Sequence, residues 1–317
     1  VRPDADAMYP SAYFPWSRFV TGTQGQNPGY DPFAIFVKAA HNKGLQIHAW
    51  VNPYRVTGYH NTWDQVSDQN PAKEWLTDGN PSNDRWVLKQ NGAYYFNPAI
   101  PQVRELIING VREIAQKYTV DGIHFDDYFY PTNDKSIDKE EYSTYKNNGG
   151  ELSLFDWRRD NVNDMIKSVY SAVKTINKSV TFGISPASDM DYDYSTLYAD
   201  VIKWSRNEGY IDYICPQIYF GFKNESQPFM QTTKRWCDNA TCALYIALPM
   251  YKSGLSDEYA GESGKNEFKK EKNIVARQIT YISKIDQIKG YYIFSYSSLK
   301  DNEETSNLYS AMQNSSV

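Results

Sequence analysis

The run Asp121-Gly-Ile-His-Phe-Asp-Asp-Tyr128 concentrates more acid/base chemistry than any other stretch of the chain. Side chains alternate along a strand, so His124, Asp126 and Tyr128 share one face. A carboxyl at the rim of such a face, partly desolvated and hydrogen-bonded by a histidine or tyrosine, has its pKa raised toward the range of a general acid. Asp127 adjoins it where the strand gives way to a loop, and repulsion between the two carboxylates would raise one pKa further. The competing explanation for the pair is structural: capping of the following helix, or binding of an arginine.

Two more constellations stand beside it. Arg2, Asp4, Asp6 and Tyr9 follow one another near the start of the chain. Asp6 there is a candidate second carboxylate for an acid/base pair, with an Arg2–Asp6 ion pair that orders the loop as the alternative. His48, Trp50 and Asn52 fall on one face of another strand. Trp50 suits the floor of a sugar subsite, and Asn52 suits a hydroxyl or acetamido group. His48 is either part of that subsite or a satisfied core residue. Tyr54 and Arg55 continue onto the loop, while Gln217, Tyr219 and Tyr251 extend the rim; packing plus one hydrogen bond is the alternative for these last three. Other chemistries lack support. There is no G-x-S-x-G elbow, no Gly-rich phosphate loop and no zinc spacing, and His48, His124 and Asp126 lie on two separate strands without a dedicated metal pattern. No metal or cofactor is expected.

These residues sit at the ends of strands. The strand candidates are Leu45–Val51, Gly122–Tyr128, Val180–Ser185, Ile211–Tyr219, Cys242–Met250 and Gly290–Tyr296, each nearly continuously apolar, as in a parallel sheet covered by helices. Amphipathic stretches separate them. Asp31-Pro32 caps a helix with Phe33, Phe36, Val37 and Ala40 on one face and Gly44 as its stop. Further stripes are Val103, Leu106, Ile107, Val111 and Ile114; Val162, Ile166, Val169, Tyr170 and Val173; Leu197, Val201 and Trp204; and Ile274, Ile279, Ile282 and Ile285. Polar or aromatic residues finish nearly every strand: Asn52, Asp126, Ser185, Gln217, Tyr251 and Ser295 among them. A site assembled from many strand ends is the logic of a TIM (β/α)8 barrel and not of a doubly wound sheet. The strand count falls short of eight, so the first strand and most of the second are expected to be missing from the chain. Residues 1–317 read as one barrel domain, with 53–95, rich in Asn, Asp, Gly, Pro and Trp, as a loop insertion over its mouth.

Composition narrows the partners. The chain has 33 basic and 38 acidic residues, so its net charge of −5 argues against a nucleic-acid backbone. Its 27 tyrosines and 8 tryptophans suit stacking on flat apolar faces, sugar rings included. Three cysteines exclude a disulfide framework, although Cys237 and Cys242 are close enough in sequence for pairing to stay open. No apolar run approaches the roughly 20 residues of a membrane span.

The sequence resembles the glycosyl hydrolase-like 10 family. The resemblance is carried by Val1-Arg-Pro-Asp-Ala-Asp-Ala-Met-Tyr-Pro-Ser11, His48-Ala-Trp-Val-Asn-Pro-Tyr-Arg-Val56, Tyr95-Phe-Asn-Pro98, Asp121-Gly-Ile-His-Phe-Asp-Asp-Tyr-Phe-Tyr-Pro131, Asp212-Tyr-Ile-Cys-Pro-Gln-Ile-Tyr219 and Phe294-Ser-Tyr296. It implies a TIM-barrel glycosidase-like protein, extracellular or at the bacterial cell surface, anchored by lipid through a segment outside this chain. The implied substrate is the cell-wall glycan, a β-1,4-linked strand of N-acetylglucosamine and N-acetylmuramic acid. After Pro186 the chain departs from the family pattern with Ala187-Ser-Asp-Met-Asp-Tyr. Asp121–Tyr128 also resembles the chitinase-type strand, with His124 in place of an acid and Tyr128 in place of the catalytic Glu. A tyrosine, with its pKa near 10, is a poor acid at neutral pH, so Asp126 is the better candidate. The expectation is therefore a peptidoglycan glycosidase, hydrolytic or lytic. Asp126 serves as acid, Asp6 or Asp127 as base or nucleophile, and Arg2, His48, Trp50, Asn52, Tyr54, Arg55, His124, Tyr128, Gln217, Tyr219 and Tyr251 as binding residues. A non-catalytic glycan-binding module and a hydrolase of another polysaccharide are the alternatives.

Overall fold

A computed structural model describes residues 1–58 and 61–315; 59 and 60, within the 53–95 segment, and 316 and 317 lie outside the described residues. The chain divides into two units. The first comprises Val1–Gly183, Asp191–Trp204 and Glu208–Ile211, and the second comprises Ile184–Met190, Ser205–Asn207 and the chain from Asp212 onward.

In the first unit, β1 (His48–Val51) pairs in parallel with β4 (Gly122–Phe125), placing His48 opposite Gly122 and Trp50 opposite His124. β4 lies between β1 and β5 (Thr181–Ile184). The helices around them form where the apolar stripes fall. In α1 (Pro32–His41) the Asp31 carboxylate accepts from Ala34 N–H at 3.0 Å, Pro32 opens the first turn, and Phe33, Val37 and Ala40 are buried. Helix α2 (Pro71–Thr77) is capped in the same manner by Asn70, which accepts from Ala72 N–H. Helix α3 (Pro101–Lys117) buries Val103, Ile107, Val111 and Ile114, and α4 (Leu154–Ile176) buries Val162, Ile166, Val169 and Val173. The two pack together, with Arg104 of α3 donating to Asn161 of α4 at 3.2 Å. Arg158 of α4 is fully buried and grips Asp138 through Nε at 2.9 Å, while its Nη2 holds the Asp134 carbonyl at 2.7 Å; together these pin the loop that leaves β4.

The second unit carries β6 (Tyr213–Ile214), β7 (Ala243–Leu248) and β8 (Ile288–Ile293), paired in parallel in that order. Its helices include α6 (Phe229–Asn239), α7 (Ile274–Ile282) and α8 (Glu303–Asn314), preceded in the chain by α5 (Val201–Arg206). Alternating parallel strands and helices make the fold α/β, of the TIM-barrel class. The described residues contribute six parallel strands, plus a parallel bridge from Arg2 to Val51.

All six expected strands exist, but several stop early. β4 ends at Phe125 and not at Tyr128, because its partner β1 ends at Val51 and Pro53 has no N–H with which to continue the ladder. β6 is reduced to Tyr213–Ile214 because Pro216 interrupts it, and Gln217 rejoins only through single bridges to Ala187 and Ala247. Leu197 falls outside α5, in the turn that ends at the left-handed Tyr198 (φ 55°). Cys237 and Cys242 are both free thiols. The 53–95 segment is not purely loop. It holds α2 and a hairpin, β2 (Val87–Gln90) and β3 (Ala93–Phe96), whose tip Asn91-Gly92 has φ of 50° and 82°, the positive values that a tight two-residue turn demands.

One close approach fixes how β1 sits on β4. The His48 imidazole lies over Gly122, where a Cβ would come within 2.5 Å of Nδ1. Gly122→Ala is expected to cost about 1–3 kcal/mol through overpacking. Chemical denaturation checks this, and an unchanged midpoint would show that His48 moves aside freely.

Candidate active site

Asp126 is the first residue past β4, and β1 supplies its partners. Trp50 Nε1 and Asn52 Nδ2 both donate to Asp126 Oδ2, at 3.3 and 3.0 Å, and the Tyr128 N–H points at Oδ1 at 3.4 Å. Alternation along β1 presents Trp50 and Asn52 on the same face. The amide of Asn52 cannot flip without loss, because its Oδ1 accepts from the Arg55 N–H at 3.0 Å. The Trp50 ring is held edge-on to His124, with centroids 4.9 Å apart.

Asp126 is only 6% exposed. Burial, reinforced by the adjacent Asp127 carboxylate, pushes its carboxyl up to about 7, against the opposing pull of Arg55, Trp50 and the Tyr128 N–H. Three donors would ordinarily hold a carboxylate low; here desolvation wins. The group is thus poised to give up a proton near neutral pH. His124 is not: burial, with His48 beside it, pushes the imidazole down to about 3, so it stands under Trp50 as a neutral ring. Burial lowers His48 as well, and Asp121 partly compensates.

A polar and aromatic cleft of about 600 Å³ opens beside Asp126. Arg55, Asn61, Tyr95, Asp127, Tyr128 and Tyr192 are among its walls. Arg55 is fixed by Nε to Asp4 at 3.0 Å and by Nη2 to the Pro3 carbonyl at 2.9 Å, with its guanidinium 4.6 Å from the centre of the Tyr128 ring. Asp127 is one of the cleft walls, whereas Asp126, Trp50 and Asn52 are not; Asp126 adjoins the cleft through its sequence neighbours Asp127 and Tyr128, and the Asp127 charge acts on it, so two carboxyls of unlike environment influence one another.

Other expected site residues lie elsewhere. Asp6 is fully buried, takes hydrogen bonds from Gln24 Nε2 at 3.3 Å and Asp4 N–H at 3.4 Å, and is not among the cleft walls. Burial and the Asp4 charge raise its pKa. Arg2 makes no ion pair with Asp6. It is wholly buried, its guanidinium 3.7 Å from the Phe14 ring centre and against Gly110 of α3, and none of the guanidinium nitrogens has a hydrogen-bond partner among the described residues. Its bridge to Val51 puts it on the helix side of the sheet, opposite the face of Trp50 and Asn52. Tyr54 is likewise fully buried, near the charges of Arg104 on α3 and Asp164 on α4. Neither residue is open to a substrate. Gln217, Tyr219 and Tyr251 belong to the second unit. Gln217 donates to the Ser185 carbonyl at 2.9 Å, and Tyr219 lies 5.8 Å from Phe294, nearly parallel, and 5.6 Å edge-on to Tyr251. Asn61, Gln90, Asn91, Tyr95 and Tyr192 are cleft residues that sequence reasoning missed. The Asn91-Gly92 turn signal between two apolar runs marks the hairpin that carries three of them. Among the described residues no cluster of His, Cys, Asp or Glu could hold a metal, and no helix is long and apolar enough to cross a membrane.

Residues 1–260 match the family described as Glycosyl hydrolase-like 10. The chain belongs to the glycosyl hydrolase-like 10 family. It is 34% identical over 322 residues to glycosyl hydrolase YngK of Bacillus subtilis (strain 168), covering 95% of this chain and 60% of that protein. It is also 34% identical over 298 residues to glycosyl hydrolase DigH of Escherichia coli (strain K12), covering 86% of this chain and 66% of that one. The chain therefore spans about two thirds or less of the length of these relatives. Its fold is similar to the PgaB (BpsB) glycoside hydrolase domain from Bordetella bronchiseptica, with a TM-score of 0.59 at 13% identity over 98% of this chain and 82% of that one.

The raised Asp126 pKa is also a statement about stability. Between the ordinary carboxylate range and about pH 7 the folded protein keeps a proton that the unfolded chain has released, so stability falls as pH rises through that window. Asp126→Asn carries no such charge. Its melting temperature is expected to exceed the wild type's by several degrees at pH 8 and to match it near pH 4. Equal differences at both pH values would show that Asp126 titrates normally.

Proposed function

We propose that the protein is a glycoside hydrolase acting on the glycan strands of peptidoglycan, with Asp126 as its general acid. The observation that carries this reading is the buried Asp126, held by Trp50 and Asn52, with its carboxyl pushed up to about 7 and its sequence neighbour Asp127 in the cleft wall. Family membership and the names of the two relatives support glycosidic chemistry. The peptidoglycan substrate rests on the resemblance of the motifs, and it implies a protein working outside the cell or at its surface.

In this reading Asp126 donates its proton to the glycosidic oxygen as the bond from that oxygen to the anomeric carbon breaks. Water adds to the anomeric carbon, and its proton passes to Asp127, whose cleft-side position suits a base better than the enclosed Asp6. Asn52 and Trp50 keep the Asp126 carboxyl aimed, while the cleft walls Arg55, Asn61 and Tyr128 take sugar hydroxyls and Tyr95 or Tyr192 stacks on a pyranose face.

The test is mass spectrometry of peptide-free peptidoglycan strands incubated with the full-length protein. Shorter saccharides are expected from the wild type, with a rate about 10²–10⁴-fold lower for Asp126→Asn. Reducing ends would indicate hydrolysis, and anhydro ends a lytic route. Strands that bind yet stay intact, or equal cleavage by the variant, would contradict the proposal.

A further inference from the structure

Asp4 and Arg55 lie 51 positions apart, yet they meet behind the acid. Asp4 is 3% exposed. Its Oδ1 accepts from Arg55 Nε at 3.0 Å, and its Oδ2 lies 3.9 Å from Arg18 Nη2. Arg55 in turn spends Nε and Nη2 on Asp4 and the Pro3 carbonyl, lies over the Tyr128 ring and acts on the charge of Asp126. The row Arg18–Asp4–Arg55–Asp126 thus alternates in sign. A guanidinium is planar and cannot lose its charge, so where it sits and what pairs with it decide how strongly a neighbour feels it.

We propose that Asp4 is a positioning residue for the acid: it clamps the Arg55 guanidinium beside Asp126 and, by pairing with it, limits how much of that cation's charge the Asp126 carboxyl feels. The inference rests on reading Asp126 as the general acid. In a dry site a bare cation near a carboxyl favours the ionised form strongly, whereas a cation already paired with a carboxylate favours it much less. Asp4 thereby lets Arg55 stand close enough to line the cleft without stripping the acid of its proton. The groups that face Asp126 from the surrounding elements are Trp50 and Asn52 from β1, His124 from β4, and Asp127, Tyr128 and Arg55 from the loops. Burial pushes His124 down to about 3, so Arg55 is the cation among them near pH 7.

The experiment is a carbon-13 NMR titration of the Asp126 carboxyl in the full protein, assigned by its loss in Asp126→Asn, alongside the pH profile of glycan cleavage. In Asp4→Asn the Asp126 midpoint is expected to fall by about one pH unit, a tenfold change, and the basic limb of the profile to fall with it. In Arg55→Gln the midpoint rises. Asp4→Asn added to Arg55→Gln changes nothing further, because the effect of Asp4 passes through Arg55. Asp4→Glu keeps the charge and restores the wild-type midpoint, which covers the case in which Asp4→Asn fails to fold. An unmoved midpoint in Asp4→Asn, a displaced one in Asp4→Glu, or the same shift with and without Arg55 would overturn the inference. Midpoints that move as expected while every glycan stays intact would leave the clamp standing and overturn the glycosidase reading instead.

Discussion

Keeping one carboxyl out of water constrains everything around Asp126. A buried carboxylate without partners is costly, and a buried carboxylate with strong partners loses its proton. Asp126 sits between these limits. Two uncharged donors, the Trp50 indole and the Asn52 amide, satisfy Oδ2 without the pull of a directly bonded cation. The parallel register of β1 on β4 places Trp50 opposite His124 and brings Asn52 one residue past the end of the ladder, where Asp126 begins its turn. Gly122 is what lets His48 fit into that register.

The same ladder end separates two kinds of side chain. Trp50 and Asn52 face the acid; Val51 and Tyr54, with Arg2, face the helices and serve packing. Loops then build the cleft. The bidentate hold of Arg158 on Asp138 anchors the segment after β4, and the Asn91-Gly92 hairpin supplies the opposing wall. Chemistry at the ends of strands, carried on a scaffold of packed helices, is the general organisation of the TIM-barrel class to which this family's fold belongs.

Much of this was legible in the sequence. Apolar runs separated by amphipathic stretches gave the strands, Asp31-Pro32 gave the start of α1, and the Asp126-Asp127 pair stood out by its place after an apolar run. What stayed hidden depends on contacts between distant segments. The strands end before Tyr128 and Tyr219 because Pro53 and Pro216 interrupt the pairing, a limit set by the partner strand in the first case and therefore invisible in the run Asp121–Tyr128 itself. Arg2, Asp6 and Tyr54 have chemically capable side chains, but only the bridge to Val51 and the packing on Phe14 and Gln24 reveal which way they point. Asp4 and Arg55 read as separate motifs until the fold brings them together.

Asp126 in this environment keeps its proton up to neutral pH. Infrared difference spectroscopy of the wild type against Asp126→Asn across pH 4–9 reads that proton without an assay of cleavage. A protonated-carboxyl band that Asp126→Asn lacks, and that gives way to a carboxylate band around pH 7, is the predicted result. A carboxylate already formed below about pH 5, in the ordinary range of an aspartate in a folded protein, would contradict the claim.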